Sequence, residues 1–82
     1  MKYKIKFTAR FKKDLKLVRK QGKDIDKLFD IVERIARDEI LDEKYRDHSL
    51  SGNYKGVREC HIEPDCLLIY EKIDDVLVLS LV

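Results

Sequence analysis

Between Thr8 and Ala36 apolar residues recur at helical spacing, and one glycine splits the run in two. Phe11, Leu15 and Val18 are separated by four and three positions, so they share one helix face. Thr8 stands where a side-chain oxygen caps a first turn, and Gly22 is a natural stop. Asp24 is placed to cap a second helix, in which Ile25, Leu28, Val32 and Ile35 recur at three and four, reinforced by Phe29, Ile31 and Ala36. So short a link makes the pair an antiparallel hairpin. Its apolar stripe needs a second layer to cover.

The rest of the chain supplies that layer as strands. Tyr3, Ile5 and Phe7 alternate with Lys2, Lys4 and Lys6, the period of a half-buried strand or of an edge guarded by lysines. From Asp42 to Lys55 the chain is polar, with Gly52 and Gly56 as breakers and Leu50 as its clearest apolar anchor. Val57 to Ile62 reads as a strand, Glu63-Pro64-Asp65 as a turn, and Leu67-Leu68-Ile69-Tyr70 as a central strand. Asp74-Asp75 turns again into a last strand, Val76 to Val82. The expected fold is α+β, in the order β-α-α-β-β-β, with the three later strands in an antiparallel meander and the helical hairpin packed on one face. The 82 residues make one small domain, 1–82, with room for a modest core only.

Charge is unevenly spread beneath a net +2. Residues 1–23 hold ten bases against one acid (+9), residues 24–48 five against nine (−4), and residues 49–82 three against six (−3). A basic first segment beside an acidic remainder points to phosphates or an acidic partner. Lys12, Lys13, Lys16, Arg19, Lys20 and Lys23 are expected on the solvated side of the first helix. Cys60 and Cys66 are too few for a disulfide scaffold and lack metal-site spacing, so they are expected to be reduced core thiols. The charged start Met1-Lys2-Tyr3-Lys4 has no apolar signal region, and nothing approaches a membrane span. A soluble, cytoplasmic protein is expected, with no membrane contact, cofactor or metal.

His48 falls in the loose stretch before Leu50. His61 alternates with Val57 and Glu59 on one strand face, while Arg58, Cys60 and Ile62 point to the other. A histidine taken singly is more often structural than catalytic, and Asp65 makes an ordinary turn residue after Pro64. Periodicity alone does not establish an active site.

From Tyr45 to Asp65 the chain reads YRDHSLSGNYKGVRECHIEPD, followed by LLIY. This stretch resembles the signature of the YafQ-type toxins of the RelE/ParE superfamily, and the flanking order of strand, helical hairpin and meander extends the resemblance over essentially the whole chain. The resemblance implies a toxin of a type II toxin–antitoxin module. Such a toxin enters the ribosomal A site and cuts mRNA as an endoribonuclease, by metal-free attack of a ribose 2′-OH on phosphorus. It also implies a cognate antitoxin of the DinJ kind, which would hold a monomeric toxin within a larger complex. The family's two histidines fall on His48 and His61 and its acid on Asp65. Lys55 and Arg58 become possible phosphate contacts, and Cys66 takes the place of the family's base-stacking Trp.

The family pattern continues past the last strand with Arg-Thr-Gly-Ser-His, a cation and a general acid, whereas this sequence stops at Leu81-Val82. The expectation is therefore a toxin domain shortened before that segment and impaired in cleavage. The alternative is an inactive module that binds antitoxin and co-represses. A ParE-like action on DNA gyrase fits less well, because that branch typically lacks the paired histidines.

Overall fold

The computed structural model describes residues 2–50 and 56–81. Strand β1 (Lys4–Phe7) leads into helices α1 (Ala9–Lys20) and α2 (Ile25–Ala36). A single 3-10 turn (Glu43–Tyr45) follows, then strands β2 (His48–Ser49), β3 (Val57–Glu63), β4 (Cys66–Ile73) and β5 (Val76–Leu81). The five strands form one sheet in the order β1-β5-β4-β3-β2. Strands β2 to β5 run antiparallel to their neighbours, and β1 pairs parallel to β5 at the edge.

Both expected helix caps form. The Thr8 hydroxyl accepts from the Phe11 N–H at 3.0 Å and donates to the Leu79 carbonyl at 2.9 Å, which ties the start of α1 to β5. Asp24 Oδ1 accepts from the Lys27 N–H at 3.0 Å. Gly22, just past the end of α1, sits at φ +75°, where a side chain would be strained.

One sheet face carries the core. Cys60, Ile62, Leu68, Tyr70, Leu77, Leu79 and Leu81 point toward the helices and pack against Phe11, Leu28, Ile31, Val32 and Ile35. Phe7 stacks on Phe11 at 5.2 Å between ring centroids and meets the edge of Phe29. The strands alternate, so the register places His48, Glu59, His61, Leu67, Ile69, Val76 and Val78 on the other face. The helices do not cover that face. Leu67 and Ile69 stay half-buried there, which explains how a continuous apolar run serves a strand with helices on one side only.

Two features depart from the sequence-based expectation. The polar stretch before Leu50 contains the 3-10 turn and a short edge strand, so the sheet has five strands among the described residues where four were expected. Lys23 lies in the link between the helices, not on the solvated side of α1, and pairs with Asp65 at 2.8 Å. Lys12, Lys13, Lys16, Arg19 and Lys20 are exposed on α1 as expected. Both cysteines are free and buried, and burial pushes the Cys60 thiol up to about 12. No helix among the described residues is long and apolar enough to cross a membrane.

Candidate active site

The short strand β2 brings the two histidines together. It pairs antiparallel with β3 so that His48 stands opposite Glu59 and Ser49 opposite Arg58. The Leu50 N–H then bonds to the Val57 carbonyl at 3.0 Å, which carries the pairing past the strand end. His61 is two residues beyond Glu59 and therefore shares its face. One Glu59 oxygen, Oε1, lies 3.5 Å from His48 Nε2 and 3.7 Å from His61 Nε2. The two imidazole rings are 6.0 Å apart at their centroids and tilted by 36°.

The other ring nitrogen of His48, Nδ1, meets the Arg46 carbonyl. A carbonyl oxygen only accepts, so Nδ1 carries a proton and Nε2 is the nitrogen free to take or give one. Arg46 makes this bond from a left-handed backbone conformation, φ +49°, which is uncommon for a residue with a side chain. The local strain is thus spent on aiming the ring. A carboxylate between two imidazoles can hold an imidazolium formed in proton transfer, while both rings remain reachable from the open sheet face. The three side chains also place ligand atoms within 4.8 Å of one another. Two imidazoles and a carboxylate form a donor set suited to Zn²⁺ or Cu²⁺.

The reverse face of β2 is clamped by a second polar group. Arg58 Nε donates to Asp47 Oδ1 at 3.0 Å, and its Nη1 donates to Ser49 Oγ at 2.8 Å. The Tyr70 hydroxyl reaches both Asp47 oxygens at 2.8 Å. Burial first, then the bond to Asp47, raise the Tyr70 phenol well above its ordinary value, so it remains a donor. Asp47 and Ser49 are the chain neighbours of His48, held from behind while His48 points forward.

Of the residues singled out from the sequence, His48 and His61 are brought together. Asp65 is not brought to them. Its exposed carboxylate pairs with Lys23, whose ammonium also donates to the Asp65 carbonyl at 3.0 Å. That ammonium holds the Asp65 carboxyl below its ordinary value, so the group is ionised. Arg58 lies on the sheet face opposite His61 and is engaged by Asp47 and Ser49. Cys66 is 4% exposed within the core, which leaves no surface for a base to stack on. Lys55 falls outside the described residues. Glu59, which the sequence reading placed on the His61 face without giving it a role, occupies the position between the rings.

This strand and helix arrangement has counterparts in known proteins. A family profile described as "Bacterial toxin of type II toxin-antitoxin system, YafQ" matches residues 3–82. The chain belongs to the YafQ toxin family. It is 38% identical over 74 residues to the mRNA interferase toxin YafQ of Escherichia coli, an alignment covering 89% of this chain and 80% of that one. Among solved structures it is similar to a copper-bound mutant toxin from Helicobacter pylori, at a TM-score of 0.92 and 36% identity, covering 96% of this chain and 91% of the other. It also matches a chain of the E. coli DinJ-YafQ toxin-antitoxin complex, at a TM-score of 0.86 and 34% identity, covering 98% and 89%. The α+β architecture expected from the sequence is that of these YafQ structures.

Proposed function

We propose that this chain is an endoribonuclease that cuts ribosome-bound mRNA, as the toxin of a toxin–antitoxin pair. The observation that carries the reading is the convergence of His48 Nε2 and His61 Nε2 on one Glu59 oxygen, on an uncovered sheet face of a YafQ-family chain. The neutral imidazole takes the proton of a ribose 2′-OH as the 2′-oxygen attacks the adjacent phosphorus. The P–O5′ bond breaks, and the charged imidazole returns a proton to the leaving 5′ oxygen. The products are a 2′,3′-cyclic phosphate end and a free 5′-hydroxyl. Glu59 holds whichever ring is charged, so one carboxylate serves both proton transfers. Asp65 would join this set only on release of Lys23, and Asp65→Asn tests that role. Lys55 and Arg58 are proposed no closer than auxiliary contacts, Arg58 acting through the placement of His48.

The E. coli relative is named an mRNA interferase, and a solved YafQ is in complex with DinJ. We infer the same pairing here: an antitoxin of DinJ kind binds this chain and prevents its access to the ribosome. The exposed bases Lys12, Lys13, Lys16, Arg19 and Lys20 on α1 suit either ribosomal RNA phosphates or an acidic antitoxin segment. Action on ribosome-bound mRNA places the protein in the cytoplasm. A metal in the His48–Glu59–His61 cluster would occupy the lone pairs that the proton transfers need.

Primer extension on message bound to programmed ribosomes tests the reading. Discrete cleavage by the protein, carried by the His48–Glu59–His61 set even at an impaired rate, lost in His61→Ala and suppressed by the antitoxin, is the expected result. A binding module without catalysis would capture antitoxin and leave every message intact. Intact supercoiling by gyrase alongside arrested translation would dismiss the ParE-like reading.

A further inference from the structure

A cleft of about 540 Å³ opens beside His61, between the start of α2 and the 3-10 turn. Among the described residues three cations line it: Lys27 from α2, Lys44 from the turn, and Arg46 immediately after the turn. By sequence these belong to the stretch from 24 to 48 that is acidic overall. The fold selects them from it and turns them toward the candidate active site. Tyr45 forms the floor. The residue is 8% exposed, with Lys44 Nζ 5.2 Å and Lys27 Nζ 5.9 Å from its ring centroid, so the ring's negative face steadies both ammoniums.

None of the three cations forms an ion pair among the described residues; the bases Lys12, Lys13, Lys16, Arg19 and Lys20 on α1 form none either, but only the cleft cations converge on a concave surface beside His61. Glu63 is the one acid among the described lining residues, and its Oε1 faces the Asp24 N–H at 3.4 Å. Three cations against the one Glu63 carboxylate leave the concave surface with a net positive charge, which focuses positive potential into the cleft. An anion balances it. The position also matters: His61 forms part of the wall, and the Arg46 carbonyl orients His48. A strand of RNA reacting at the two imidazoles therefore passes this cleft.

We propose that Lys27, Lys44 and Arg46 form a phosphate-binding subsite for the single-stranded RNA backbone next to the scissile bond. The inference rests on the nuclease reading and deepens it. It assigns the grip on the substrate strand to this cleft. The basic face of α1 is left for other contacts.

The test is the salt dependence of binding to a 2′-O-methyl RNA decamer, which lacks the attacking hydroxyl and cannot be cleaved. For single strands, log Kobs against log [salt] has a slope of about −0.7 per phosphate contact. The variant Lys27→Gln/Lys44→Gln/Arg46→Gln should lose about two units of slope and at least tenfold in affinity at low salt. Lys27→Gln/Lys44→Gln, which leaves the left-handed Arg46 position untouched, should lose about 1.4 units of slope. A control variant, Lys12→Gln/Lys13→Gln/Lys16→Gln, removes equal charge from α1 and should change the slope by less than half a unit. Equal losses in the cleft and control variants would overturn the subsite, since general electrostatics would then account for both. If the protein cleaves ribosome-bound message but the cleft variants bind RNA like the wild type, the subsite alone is wrong. If the wild type neither binds RNA nor cleaves, the nuclease reading falls with it.

Discussion

The Tyr70 hydroxyl and the Asp47 carboxylate are joined by two contacts of 2.8 Å on the sheet face opposite His48. Tyr70 belongs to the central strand β4, and Asp47 precedes the short edge strand β2. Between them they span β3, so the best-supported strand of the sheet anchors its least-supported one. Arg58 completes the clamp by reaching Asp47 and Ser49. A two-residue strand has too little ladder of its own to fix the His48 ring, and this polar group supplies the missing constraint.

Removing the anchor should release His48. Tyr70→Phe keeps the ring in the core but deletes a hydrogen bond to a charged partner, costing about 1.5–3 kcal/mol in a urea unfolding experiment. Hydrogen exchange of the Leu50 amide, which bonds to Val57, should accelerate well beyond that of the core strand amides. Cleavage should fall roughly ten- to a hundredfold through misplacement of the ring. Unchanged exchange at Leu50 with unchanged cleavage would show that β2 holds itself in place.

The end of α2 carries a separate electrostatic lock. Asp38 lies between Lys2, at 3.0 Å, and Lys72, and the bond to Lys72 followed by that to Lys2 lowers its carboxyl from 3.8 to about 2. The folded state favours the ionised form. The stabilisation is therefore complete above about pH 4 and disappears as pH falls through about 2. Asp38→Asn is the clean probe, because Asn tolerates the left-handed backbone, φ +63°, found there. Urea midpoints of the two proteins should differ at neutral pH and converge toward pH 2. A gap that persists at pH 2 would assign the effect to something other than the carboxylate charge.

Divalent d-block ions should inhibit the enzyme. Zn²⁺ or Cu²⁺ bound by His48, Glu59 and His61 would take the nitrogen lone pairs on which the proposed proton transfers depend, so cleavage should fall with added ion and return with chelator. Calorimetry should show one ion per chain, with affinity reduced at least tenfold in Glu59→Gln. Inhibition that is equally strong in a protein lacking both histidines would place the ion elsewhere.

Much of the scaffold could be read from the sequence because its signals are local. The spacing of Phe11, Leu15 and Val18, the caps at Thr8 and Asp24, and the break at Gly22 each act within a few residues and reappear as the two helices. The strands after Gly56 were legible for the same reason. Strand β2 was not, since a two-residue edge strand has no periodicity, and what holds it comes from Arg58 and Tyr70, 9 and 23 positions from their partners. With β2 hidden, the pairing of His48 with Glu59 was hidden too, although the shared face of Glu59 and His61 was evident from alternation. Arg58 was correctly placed on the face away from His61, but its partners Asp47 and Ser49 are set by tertiary pairing alone. The cationic cleft was invisible for a further reason: Lys27, Lys44 and Arg46 lie in a stretch whose summed charge is negative, and only folding sorts them from their acidic neighbours.

The central claim is that His48 and His61 act as one proton-transfer unit. Its most direct test is single-turnover cleavage of ribosome-bound message by His48→Ala, His61→Ala and the double variant. Each single substitution should reduce the rate about 10²–10⁴-fold, and the double should be no more than about tenfold worse than the more damaged single, as expected of groups that function as a unit. Wild-type rates in either single variant, or losses that multiply in the double, would contradict the account.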